Sequence, residues 1–161
     1  MYTNIKKNAG MLFGTILLGG GIFLIYKHCA DILKRERIQK EKNRAILKMF
    51  SKWIQNKEEG KKIETYLNEM GFHKIAIYGM SDAGQRLYEE LNGTSIKIEY
   101  AIDRRTVDVA ENIPIVSLDN VLHKVDAIVV TAIYDFPEIV ELLQNKTQDY
   151  IISLEQIIYE L

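Results

Sequence analysis

The chain predicts an α/β fold in which a parallel sheet of order 3-2-1-4-5 follows a transmembrane helix and a helical stalk. Three observations carry this. After Gly71, short apolar runs rich in β-branched residues alternate with amphipathic helical patterns, the signature of a sheet covered on both faces. The first run ends in a glycine turn that opens a helix, Ile75–Tyr88, IAIYGMSDAGQRLY. Near the start, the 18 residues from Ala9 to Tyr26, AGMLFGTILLGGGIFLIY, carry no charge.

That uncharged run, at 1.5 Å per residue, is about 27 Å long as a helix, enough for the hydrocarbon core of a bilayer. A cleaved signal peptide is the rival reading, since Lys6 and Lys7 precede it; but the run is long for one, and YKHCADI offers no small-x-small cleavage site. Lys27, Lys34, Arg35, Arg37, Lys40, Lys42 and Arg44 follow it. By the positive-inside rule this places the C-terminal domain in the cytoplasm of a single-pass protein of the cell membrane. Gly10, Gly14 and Gly19–Gly21 would let two such helices pack closely as a homo-oligomer, although glycine is common in membrane helices anyway. Cys29 sits at the membrane edge, where a thiol is either palmitoylated or left unmodified.

Charge divides the chain as well. The 161 residues have a net charge of −1, but Met1–Lys62 holds 14 of the 21 Lys+Arg and 5 of the 22 Asp+Glu, a net +9, leaving −10 for the remainder. Two segments of opposite sign face different surroundings, and the acidic domain argues against a nucleic-acid partner. A single cysteine rules out an intramolecular disulfide, and no cysteine and histidine cluster suggests a metal. No internal repeat or low-complexity tract stands out. The domains expected are 1–29, tail and anchor; 30–70, helical stalk and lead-in; and 71–161, the strand-containing domain.

From Ala30 to Lys57 the chain is rich in helix formers and lacks proline and glycine, so a long helix is expected. Its apolar residues thicken toward Met49, Phe50, Trp53 and Ile54 at spacings of three and four, so this end should dock on something. Its basic half either attracts anionic headgroups or is a solvated stalk. Gly60 breaks it, KKIETYLNEM resumes a helix, and Gly71 caps that one.

The elements that follow are HKIAIY, a strand; AGQRLYEELN, a helix; IKIEYAI, IPIV and VDAIVVTA, strands two to four; FPEIVELLQN, a helix; YII, a strand; and LEQIIYEL, a closing helix. A short helix is expected before His123. Ser117, Asp135 with Glu138, and Ser153 with Gln156 carry capping signals, and Pro137 suits a first helical turn. The crossover rule then gives order 3-2-1-4-5, half of a dinucleotide-binding Rossmann-like fold extended by one strand. Ligands in such sheets bind beyond the strands' carboxyl ends where the winding reverses, here between strands one and four.

That crevice supplies the candidate cofactor-binding residues: Gly79, Met80, Ser81 and Gly84 in the first turn, Asp103 and Arg104 after strand two, Thr131 and Tyr134 after strand four. Gly79 and Gly84 stand at the first and third glycine positions of the dinucleotide fingerprint. Asp103 lies 24 residues after Gly79, near the roughly 20-residue separation at which a carboxylate meets ribose hydroxyls. Ser81 replaces the middle glycine. Its hydroxyl either donates to a phosphate or, with the Asp82 charge, keeps a diphosphate out, and either residue can instead cap the helix. Arg104 and Arg105 either hold a phosphate or form a solvated loop. His28, His73 and His123 have no catalytic partner, and no Ser-His-Asp set, carboxylate pair or metal signature can be assembled, so no catalytic residue is assigned.

KIAIYGMSDAGQRLYEEL, IEYAIDRR, VDAIVVTAIYDF and IISLEQIIYEL, with the lead-in KWIQNKEEGKKIETYLNEMGF, resemble a family of bacterial Rossmann-like domains from capsular and exopolysaccharide gene clusters. Those domains are similar to CoA-binding domains and to the amino-terminal domain of acetyltransferases acting on nucleotide-linked sugars. The resemblance covers about Ser51–Leu161. The family's turn reads GMGELG, so Gly79, Met80 and Gly84 match while Ser81, Asp82 and Ala83 depart. It implies a nucleotide-type ligand (NAD(P), CoA or a nucleotide sugar), a protein partner in glycan synthesis, and a role as a binding or regulatory subunit. A cofactor half-site of a sugar-modifying oxidoreductase or transferase and a ligand-free scaffold are the alternatives.

Overall fold

A computed structural model describes residues 2–103, 113–120 and 122–161, with the backbone alone for residues 2–25. The chain divides into two units, Met1–Arg44 and the compact Ala45–Leu161. A single helix, α1 (Tyr2–Glu58), runs through the first into the second. The transmembrane reading of residues 9–26, with its glycine face, falls, Tyr26 aside, on side chains outside the described residues. Among the described residues no helix is long and apolar enough to cross a membrane.

The compact unit is an α/β domain: α2 (Ile63–Glu69), β1 (Lys74–Tyr78), α3 (Asp82–Leu91), β2 (Lys97–Ile102), β3 (Ile115–Val116), β4 (Ala127–Val130), α4 (Phe136–Gln144), β5 (Tyr150–Ser153) and α5 (Leu154–Glu160). All strand pairs are parallel, in the order β3-β2-β1-β4-β5. The arrangement is compatible with a Rossmann-like fold, and the winding reverses between β1 and β4.

Alternation along the strands sends side chains to two cores. Ile75, Ile77, Ala127 and Val129 pack with Met49 and Trp53 of α1, Ile63 and Leu67 of α2, Leu87 and Leu91 of α3, and Ile157 and Ile158 of α5. Ala76, Ile128 and Val130 face the other way, against Ile139 and Leu143 of α4 and the side chains of Tyr100 and Ile102. The end of α1 therefore docks through Met49 and Trp53, with Phe50 partly buried beside them, whereas Ile54, expected on the same face, stays exposed. Packing puts the unit's start at Ala45, so the lead-in shares the core of the strands.

Polar contacts fasten that junction. Trp53 Nε1 donates to Glu90 Oε2 (2.8 Å), the Lys57 ammonium sits 3.0 Å from the same oxygen, and the Ile63 amide donates to Glu90 Oε1 (3.4 Å). Fully buried Asn56 donates to the Ile158 carbonyl (2.6 Å). Tyr66 hydroxyl donates to Glu160, and burial together with that carboxylate pushes its pKa up to about 12. At the amino edge of the sheet, the Lys74 and His73 amides donate to Asp126 Oδ2 and hold its carboxyl below the usual range.

Local signals fare unevenly. Gly60 and Gly71 take positive φ, 77° and 78°, where the helices stop, and Pro137 lies in the first turn of α4. Ser153 caps α5 by accepting from the Glu155 amide, but the Gln156 amide group bonds Glu160 rather than reaching back. Asp135 stands at the N-cap of α4 with no side-chain capping bond, because a 3-10 turn (Ile133–Asp135) feeds the helix and gives it φ −99°, ψ 15° instead of extended backbone. Ser117 accepts from the Asp119 amide in a turn, and among the described residues from Ser117 to Leu122 the short helix expected directly before His123 is replaced by that turn.

Candidate functional site

β1 ends in Tyr78, and the chain must reverse within three residues to start α3. Gly79 makes this possible with φ +94°, a conformation that a side chain makes costly. A Cβ there would also lie 2.8 Å from Thr131 Oγ1. Gly84, one turn into α3, passes so close to the strand end that a Cβ on it would lie 2.0 Å from the Gly79 carbonyl oxygen. Gly79 thus permits the turn and Gly84 the contact between helix and strand.

The turn is held on both sides. The Met80 amide donates to Asp103 Oδ2 at 2.7 Å, and the Gly79 amide to the Ile102 carbonyl at 2.8 Å. Thr131, buried, donates its hydroxyl to the Gly79 carbonyl at 2.7 Å, tying the end of β4 to the same loop. The Met80 side chain is buried in the first core, so only its backbone faces the turn. Ser81 occupies the N-cap of α3, exposed and extended at φ −69°, ψ −171°, yet its hydroxyl makes no capping bond.

Beside this turn, at the carboxyl ends of β1, β2 and β3, lies a cleft of about 800 Å³. Its lining includes Tyr78, Gly79, Ile102 and Asp103 at the ends of β1 and β2, Ser117, Leu118 and Asp119 after β3, and Ala132 and Ile139 after β4. Four carboxylates border it, those of Asp103, Asp119, Asp135 and Glu138, and no Lys or Arg does among the described residues. A phosphate placed there requires a cation from elsewhere.

Of the residues predicted for the site, Gly79 and Asp103 line the cleft, while Ser81 and Gly84 begin the helix beside it. Thr131 acts on the loop rather than on the open space. Tyr134 is exposed and lines a separate groove of about 480 Å³ with Ile133, Phe136 and Pro137. Arg104, with Arg105, lies outside the described residues. Ser117, Leu118, Asp119 and Glu138 also line the cleft, and the turn motif and its spacing do not point to them. The available signal was that SLDN follows the third strand and so must emerge at the same edge as the other strand ends.

Fold and cleft together define a parallel α/β domain with an open crevice at its topological switch point. No protein family, curated protein or solved structure matches the chain.

Proposed function

We propose that the compact domain is a nucleotide- or nucleotide-sugar-binding module, held at the cytoplasmic face of the cell membrane by residues 9–26, and that it serves surface polysaccharide synthesis as a binding or regulatory subunit. The β1–α3 turn supports this most: it has the two glycine-dependent approaches of a phosphate-binding turn, and it leaves the Ser81 hydroxyl uncommitted at the start of a ten-residue helix. The amides and dipole of that helix end favour an anion. In this reading Asp103, which lines the cleft, meets the ribose, and the cation that the carboxylates call for comes from a basic residue that is not among the described lining. The glycan setting rests on the sequence resemblance. The same turn serves equally if the domain is a cofactor half-site for NAD(P) or CoA in a sugar-modifying enzyme completed by a partner chain.

A scaffold without ligand has its own supporting observation, because Asp103 and Thr131 both bond the turn itself. Native mass spectrometry of the full chain released from membranes separates the two readings. Retained nucleotide-type ligand is the expected result. Bare protein that also takes up no NAD, NADP, CoA or UDP-sugar when these are added contradicts binding and favours the scaffold.

A further inference from the structure

Two spaces open at the carboxyl edge of the sheet, and one segment of chain separates them. Its residues divide between the two: Ala132, Asp135 and Glu138 line the cleft, whereas Ile133, Tyr134 and Phe136 line the groove of about 480 Å³. The faces of the sheet differ as well. Ile139 of the cleft belongs to the core under α4, while Ile133 of the groove belongs to the core that holds Met80 and Ala83, the residues flanking Ser81 and Asp82. Thr131, at the head of the segment, donates to the Gly79 carbonyl. Cleft and groove therefore lie on opposite faces of the sheet, and the β1–α3 turn adjoins both.

Their chemistry differs too. The cleft is bordered by four carboxylates, the groove by one, that of Glu155, and no Lys or Arg lines the groove among the described residues. Tyr134, Phe136 and Pro137 give the groove apolar rings, and Gln156 adds an amide that both donates and accepts. Small-molecule sites occupy about 300–1,000 Å³, and the groove falls within that range. An anionic group in it would meet the Glu155 carboxylate with no described cation to offset the charge. A neutral ring with apolar C–H faces and hydroxyl edges suits each part. Its faces cover the rings, while its hydroxyls donate to Glu155 and exchange hydrogen bonds with Gln156.

We infer that this groove is a glycosyl subsite: with the nucleoside in the cleft and the phosphates at the β1–α3 turn, the sugar of a nucleoside diphosphate sugar lies in the groove on the other face. The inference rests on the nucleotide-binding reading and narrows it, since it selects a nucleotide sugar over NAD(P) and CoA. It also gives Tyr134 a place in the site, against the sugar instead of the nucleotide.

Titration calorimetry of the full chain in detergent with UDP, UDP-glucose, GDP and GDP-mannose tests it, each sugar being read against its own diphosphate. The parent should bind at least one sugar about tenfold or more tighter than the matching diphosphate. Tyr134→Ala and Gln156→Ala, both at exposed positions, should each bring that ratio below about threefold, whereas Tyr134→Phe, which keeps the ring, should preserve it. Equal affinity for diphosphate and sugar in the parent, or a ratio that survives either alanine substitution, would overturn the groove as the sugar's place and leave nucleotide binding standing. No heat from any of the four compounds would overturn the subsite together with a diphosphate at the turn.

Discussion

Two regions of the compact unit treat polar groups in opposite ways. Where the end of α1 meets α3 and α5, polar side chains find partners: buried Trp53 and exposed Lys57 both reach the Glu90 carboxylate, and buried Asn56 donates to the Ile158 carbonyl. At the carboxyl edge of the sheet, the backbone is fitted just as tightly around Gly79 and Gly84, but the side chains beyond it border open space. The first region fastens a helix, while the second leaves a cleft with four carboxylates around it. Substitutions at the junction should therefore be read in stability, and those at the rim in binding.

The largest effect is expected at the junction. Trp53→Ala removes a buried indole and its bond to Glu90 and should cost about 3–5 kcal/mol in denaturant unfolding of residues 45–161. A loss under about 1 kcal/mol would mean that the lead-in is not part of the core. Gly84→Ala brings the comparison to the turn, where a methyl would have to displace the Gly79 carbonyl. It should cost about 1–3 kcal/mol in the same measurement and lower any ligand affinity with it.

A smaller effect, spread over pH, tests burial away from the cleft. Tyr66 and Tyr100 both have pKa values pushed up to about 12, chiefly by burial. The folded state therefore holds these protons more tightly than the unfolded chain, whose tyrosines titrate near 10. Their contribution is complete below pH 10 and is lost as pH rises toward about 12. Denaturant midpoints should fall across that window, and Tyr66→Phe should flatten the fall. A midpoint that stays level would show that the phenols are solvated.

The strands were legible because they are short and almost wholly apolar, as in the AIVV of β4, and because turn residues bound them. Gly79 and Gly84 were legible as a pair because only the absence of Cβ lets chain and helix approach so closely. The partners of polar side chains were not. Glu90 looks like any exposed helix residue until α1 arrives from 37 residues away, and Met80 sits in a site motif while its side chain packs in the core. Asp135 carries a capping signal that the preceding 3-10 turn cancels. Each outcome was decided by a neighbour distant in sequence or by the local backbone path, and spacing encodes neither.

Ser81 has the smallest expected effect on stability and bears most directly on function. Titration calorimetry of the full chain with NAD, NADP, CoA and UDP-sugars, on the parent, Ser81→Gly and Asp103→Ala, tests the binding reading. Since the Ser81 hydroxyl caps nothing, Ser81→Gly should change stability by only a few tenths of a kcal/mol and keep or raise affinity for a diphosphate. Asp103→Ala should weaken binding by about 1.5–3 kcal/mol. Heat from at least one of these ligands, with that ordering of the variants, is the predicted result. No heat from any of them, on either the parent or Ser81→Gly, would contradict a nucleotide site in the crevice.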